Sequence, residues 1–152
     1  MKITQLSVFV ENAPGRILAP CRALADAGVN LRALSLADAP TFGILRMIVS
    51  DWQRAAKILE ESGFSVKATE VLAVEVPDRP GGLSQVLGAL QNSSVNIEYM
   101  YAFPFGRGEK ATLVFRFDNT DAAIATLQSQ DTYFAELFTA QYGNGSFSTT
   151  GG

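Results

Sequence analysis

Apolar and polar residues alternate from residue 3 to residue 10, the period of a strand with one buried face. Ile17, Cys21, Leu24 and Gly28 then recur at helical spacing, and residues 29–36 and 44–49 return to strand-like composition. Ser50-Asp51-Trp52-Gln53 has the form of a capping box, with Ser50 as the expected N-cap and Gln53 reaching back to it. Ala55, Ile58 and Leu59 supply the buried stripe of that helix, Ser62-Gly63 stops it, and residues 64–68 close the set as a strand.

The same order then returns. Residues 71–76 read as a strand, and Leu83, Val86, Leu87 and Leu90 share a helix face. Residues 95–105 read as a strand, Gly106-Arg107-Gly108 as a turn and residues 111–117 as the next strand. A helix beginning near Thr120-Asp121 carries Ala123, Ile124 and Leu127, and residues 134–142 read as the closing strand. The two sets keep register: Pro14 and Pro80 stand 66 positions apart, as do Asn30 and Asn96. Beyond the second strand the offset widens to 68, which aligns Val49 with Phe117. A period this long is a duplicated small domain. The expected domains are residues 1–69 and 70–142, with residues 143–152, mostly Gly, Ser and Thr, as a flexible tail.

Strand, helix, strand, strand, helix, strand is the order of a ferredoxin-like α+β module. Two such βαββαβ modules are expected side by side, joined through their second strands into one eight-stranded antiparallel sheet with the helices on one face. The other face then lacks cover, and a homodimer is expected to bury it.

Composition narrows the chemistry. At 152 residues and 47% hydrophobic the chain can bury a core, though each half is near the lower limit of independent stability. A net charge of −3 gives no attraction to nucleic acid or to an anionic membrane, so neither is an expected partner. Met1-Lys2 leads directly into a strand pattern with no apolar run, and the expected location is the cytoplasm. There is no histidine, which excludes Ser-His-Asp and Cys-His catalysis and most zinc sites. Cys21, the only cysteine, sits on an apolar helix face as a small hydrophobe. No catalytic residue, metal or cofactor is expected.

Asn12-Ala13-Pro14-Gly15, an amphipathic helix and Gly28-Val29-Asn30-Leu31 are matched by Asp78-Arg79-Pro80-Gly81-Gly82-Leu83, a second helix and Ser94-Val95-Asn96-Ile97. In both copies this pattern resembles the ACT domain family of amino-acid-binding regulatory modules, over residues 2 to about 142. The resemblance implies a tandem ACT protein, non-catalytic, that binds a free amino acid between its domains and signals to a separate metabolic enzyme or to its own assembly. It further implies ligand contacts at Asn12 and Asn30 in the first copy and at Asp78 and Asn96 in the second.

Independent chemistry points to the same loops. A Gly after Pro at a strand-to-helix turn lets backbone approach a ligand, and the helix start attracts a carboxylate. The candidate contacts are therefore Asn12, Ala13, Pro14, Gly15, Arg16 and Asn30, with Asp78, Arg79, Pro80, Gly81, Gly82 and Asn96. Asn and Asp before Pro-Gly are also ordinary turn formers and caps, and Asn30 and Asn96 can be turn residues. Tyr99, Tyr101, Phe103 and Phe105 alternate onto one strand face, so Tyr99 and Tyr101 are candidates for shaping a side-chain pocket, opposite the small Ala33 and Ser35. A core or dimer stripe is the competing reading.

Pro20 is expected to kink or delay the first helix, and Asp78 to repel a ligand carboxylate while attracting its ammonium group, so the two sites should differ. The first copy is favoured because it has Asn both in the loop and at the strand start. The alternatives are an acylphosphatase-like enzyme using Arg16 with Asn30, an RNA-binding module of the same strand order, and a ligand-free oligomerisation module.

Overall fold

A computed structural model describes residues 2–129 apart from 105 and 107. The elements are β1 (Lys2–Glu11), α1 (Leu18–Asp26), β2 (Leu31–Asp38), β3 (Phe42–Val49), α2 (Trp52–Glu61), β4 (Ser65–Pro77), α3 (Gly82–Leu90), β5 (Ile97–Ala102), β6 (Lys110–Phe117) and α4 (Thr120–Gln128). The chain divides into two compact units, one of Thr4–Thr69 and one of residues 70–129 with residues 2 and 3.

In the first module β3 lies between β2 and β1, antiparallel to both, and β4 begins on the other side of β1. That is the strand order of a split βαβ module. In the second, β6 lies between β4 and β5, again antiparallel to both. The eight strands expected from the sequence are corrected to six among the described residues. Residues 64–68 and 71–76 are not two strands: Ser65–Pro77 runs as one, because nothing between them breaks an extended backbone. The expected strand at 134–142 and the expected tail lie outside the described residues. Joining through the second strands is also corrected, since β2 and β5 each have one hydrogen-bonded neighbour, the third strand of their own module.

The cores of the two modules correspond position by position. Leu6, Val8 and Val10 of β1 and Leu45, Met47 and Val49 of β3 pack with Leu24, Ala55 and Leu59 from the helices. Their counterparts are Leu72, Val74 and Val76, then Leu113, Phe115 and Phe117, with Leu90, Ala123 and Leu127. In each module, therefore, both helices cover the same sheet face. Each fully buried Leu or Phe contributes about 1.5–3 kcal/mol. Phe115 and Phe117 add a stacked pair with ring centroids 5.4 Å apart.

Part of the opposite face is also buried, although Phe9 and Phe42 on it stay exposed. Gln5, Ser7 and Ile48 in the first module, and Val71, Ala73, Thr112 and Val114 in the second, are all buried. The two polar side chains of β1 satisfy one another, Gln5 Nε2 donating to Ser7 Oγ at 3.1 Å.

Pro20 is accommodated at the third residue of α1, in the first turn, where a missing N–H breaks no helical bond. The helix begins at Leu18, two positions later in the repeat than α3, which begins at Gly82. This is the expected delay. The capping box is corrected: Asp51, not Ser50, is the N-cap of α2, its carboxylate accepting from the Arg54 N–H at 3.2 Å.

Candidate functional site

The two Pro-Gly turns fold identically, bond for bond. The Ala13 N–H donates to Glu11 O at 3.0 Å and the Arg16 N–H to Ala13 O at 3.3 Å; the Arg79 N–H donates to Pro77 O at 3.0 Å and the Gly82 N–H to Arg79 O at 3.0 Å. Gly15 and Gly81 have φ of 78° and 86°, the left-handed region that explains glycine at each. A Cβ at either would meet open space, so the backbone angle alone accounts for them. Gly82 differs, because a Cβ there would fall 1.9 Å from Pro77 O.

Each turn is pinned to the hairpin beside it. The Asn12 N–H donates to Thr41 O at 3.4 Å, and the Asp78 N–H to Glu109 O at 2.8 Å. The Asn12 side chain adds a bond from Nδ2 to Ala39 O at 3.3 Å. Asn30 and Asn96, both exposed at the starts of their strands, are held through their backbones. The Asn30 N–H donates to Ser50 Oγ at 3.3 Å, and the Asn96 N–H to Asp118 Oδ1 at 2.9 Å. The structure thus gives these four residues defined turn and strand-start roles.

The helices that leave the turns differ from the helices that follow the hairpins. Neither Ile17 before α1 nor Gly81 before α3 supplies a side-chain cap, whereas Asp51 and Asn119 cap α2 and α4. Uncapped amides beside an exposed loop favour an anion.

In the first module the turn borders an open cleft of about 250 Å³ lined by Phe9, Val10, Glu11, Arg16, Gly63 and Phe64. Of the candidate residues from the sequence, Arg16 lies in this wall. Its Nη2 stands 3.2 Å from Glu11 Oε2, and both side chains are largely exposed. Such a pair is weakly held, because water screens it and ordering two long side chains costs entropy. Phe9 meets Phe42 with ring centroids 6.4 Å apart, at a tilted angle. Gly63, at φ 91°, turns the chain from α2 into β4 and brings Phe64 to the cleft.

Phe9, Glu11, Gly63 and Phe64 were not legible as site residues. The available signals were an acid and a base flanking the Pro-Gly turn and a Phe that the repeat replaces with Glu75. Tyr99 and Tyr101 lie on the sheet face away from the helices, half-buried and paired with Arg116 and Val114 across to β6. Phe103 is buried, and Phe105 lies outside the described residues. A bulge between Ile97 and Tyr99 sets which face these rings take.

The remaining chemistry is sparse. Among the described residues no group of acidic and cysteine side chains is placed to hold a metal ion, and no helix is long and apolar enough to cross a membrane. Cys21 packs against the first core, and burial raises its thiol pKa.

A crystal structure from Bacteroides thetaiotaomicron is 40% identical, with a TM-score of 0.83, over 89% of this chain and 92% of that one. The ligand-free regulatory subunit of aspartate kinase from Thermus thermophilus is 16% identical, with a TM-score of 0.58, over 83% and 90%. The corresponding subunit from Thermus flavus is 17% identical, with a TM-score of 0.57, over 83% and 90%. These two share the fold. No match was found among curated proteins. The family description "ACT domain pair" matches residues 1–137, and with the duplicated core and turns this chain belongs to the ACT domain pair family.

Proposed function

We propose that this protein is a non-catalytic regulator that binds a free amino acid beside the first Pro-Gly turn and passes that occupancy to a separate metabolic enzyme or to its own assembly. One observation carries the reading: an open cleft of about 250 Å³ has Glu11 and Arg16 side by side in its wall. A free amino acid presents the complementary pair, an ammonium for Glu11 and a carboxylate for Arg16. The shared fold with a regulatory subunit of aspartate kinase supports a metabolic enzyme as the kind of partner. No cofactor enters this scheme.

The same reading includes a homodimer formed through β2. Among the described residues this strand is paired on one side only, and Leu34 and Leu36 are 52% and 49% exposed on it. Antiparallel pairing of two copies about Ser35 would set Leu34 against Leu36 of the second copy and give the open edge its hydrogen bonds.

The test is a thermal-shift screen of the full chain against each of the twenty amino acids. A ligand that binds only the folded state raises the melting temperature, and one amino acid or a small group is expected to do so. No shift with any of them at millimolar concentration would sink the proposal.

A further inference from the structure

Resting on the regulatory reading, we infer that the cleft of the first module selects an amino acid with an apolar side chain, and that the second module has no equivalent site. The repeat supplies an internal control. Phe9 recurs as Glu75 and Phe42 as Lys110, and the ring contact of the first module becomes an ion pair of 3.5 Å in the second. Because the same fold accepts a charged pair at this place, the core does not require Phe9 and Phe42 there. Phe9 is nevertheless 38% exposed and Phe42 is 42% exposed. Phe9 and Phe64 thus give the cleft an apolar wall that a ligand side chain would cover.

The charged pair is restricted to the first module in the same way. Glu11 recurs as Pro77 and Arg16 as Gly82, so the second module lacks this acid and base at the matching positions, and its own Asp78 and Arg79 stand elsewhere in the turn, where the first module has Asn12 and Ala13. Gly82 moreover packs its Cα side directly against Pro77 O, which leaves no room for a side chain. At about 250 Å³ the open cleft falls below the roughly 300–1,000 Å³ of drug-sized pockets and accommodates a single amino acid.

Calorimetry on the full chain tests this with leucine, isoleucine, methionine and phenylalanine against glycine, serine, aspartate and lysine. The tightest ligand is expected among the first four. Phe9→Glu, the residue that the second module carries, and Arg16→Gln are each expected to weaken it at least tenfold. N-acetylation of the ligand should do the same. Arg16→Gln changes an exposed side chain, so its melting temperature without ligand should match that of the parent. A polar or charged amino acid as the tightest ligand, still weakened by Arg16→Gln, would overturn the inference and leave the regulatory reading standing, whereas an apolar ligand indifferent to both substitutions would overturn the inference together with the placement of the ligand beside Arg16. No binding by any of the twenty amino acids would overturn both.

Discussion

Asn30 and Ser50 exchange two hydrogen bonds: the Asn30 N–H donates to Ser50 Oγ at 3.3 Å, and the Ser50 N–H donates to Asn30 O at 3.1 Å. One repeat later Asn96 and Asp118 do the same, at 2.9 Å and 3.1 Å. In both modules the residue after the last β-strand pair thus locks the start of the second strand, and the next residue, Asp51 or Asn119, caps the helix.

This division of labour is measurable. Asp51→Ala and Asn119→Ala should each lower stability by about 1 kcal/mol, the usual loss of an N-cap. Ser50→Ala should cost less, because it removes one exposed acceptor and leaves the backbone bond intact. Urea denaturation of the three variants would decide; a greater loss at Ser50 than at Asp51 would return the cap to Ser50.

The glycines should separate by mechanism. Gly15→Ala and Gly81→Ala should each cost about 1–2 kcal/mol, from the left-handed backbone alone. Gly82→Ala should cost more, since its Cβ would collide with Pro77 O and the helix start must move. Gly88→Ala, where a Cβ meets nothing within 4 Å, should instead stabilise α3 by roughly 0.5–1 kcal/mol. Equal losses at Gly82 and Gly81 in chemical denaturation would contradict the contact with Pro77.

Lys2 gives a pH test. Its Nζ stands 2.7 Å from Asp121 Oδ1 and 3.5 Å from Glu70 Oε1. The hydrogen bond to Asp121, aided by Glu70 and opposed by desolvation, raises its pKa above 10.5. The folded state therefore holds this proton more tightly than the unfolded chain does. The stabilisation is complete below pH 10.5 and is lost as pH rises through the higher folded value. The stability difference between the parent and Lys2→Met should be constant from pH 7 to 9 and shrink above pH 10.5, and salt should weaken it throughout. A difference that persists unchanged at pH 12 would assign the effect to packing.

The β2 edge predicts assembly. Leu34→Lys places a charge where two copies would bring Leu34 and Leu36 together, so sedimentation at micromolar concentration should show a dimer for the parent and a monomer for the variant. A monomeric parent, with and without amino acids, would count against β2 as an interface.

The identity of the modules was legible because duplication writes the same local rules twice. Alternation in β1, the helical stripe of α2 and the Pro-Gly turns are set by neighbours within a few residues, and the structure keeps the strand, the stripe and the turns, although Gln5 and Ser7 on the polar side of β1 are buried too. The match of Leu6 with Leu72, or Leu59 with Leu127, follows from the same register. Boundaries where two local solutions compete were less legible. Ser50 and Asp51 both have cap chemistry, and the choice fell to Asp51 because the start of β2, twenty residues earlier in the chain, claims Ser50.

By itself, then, the sequence determined what short-range periodicity and turn chemistry can encode: two copies of a strand, helix, strand, strand, helix order, their core positions and the glycines that their turns require. Only tertiary structure decided that residues 65–77 form one strand, that the sheet face away from the helices is buried over Gln5, Ser7 and Val114, and that Asn12 turns its amide to Ala39. It also decided the cleft. Phe9 and Phe64 stand on opposite sides of a whole αββα segment in the chain, and Glu11 and Arg16 gain meaning only when the turn from α2 into β4 closes beside them. Pairing across such distances depends on which strand edges meet and which backbone groups are already satisfied, and no local window of residues carries that information.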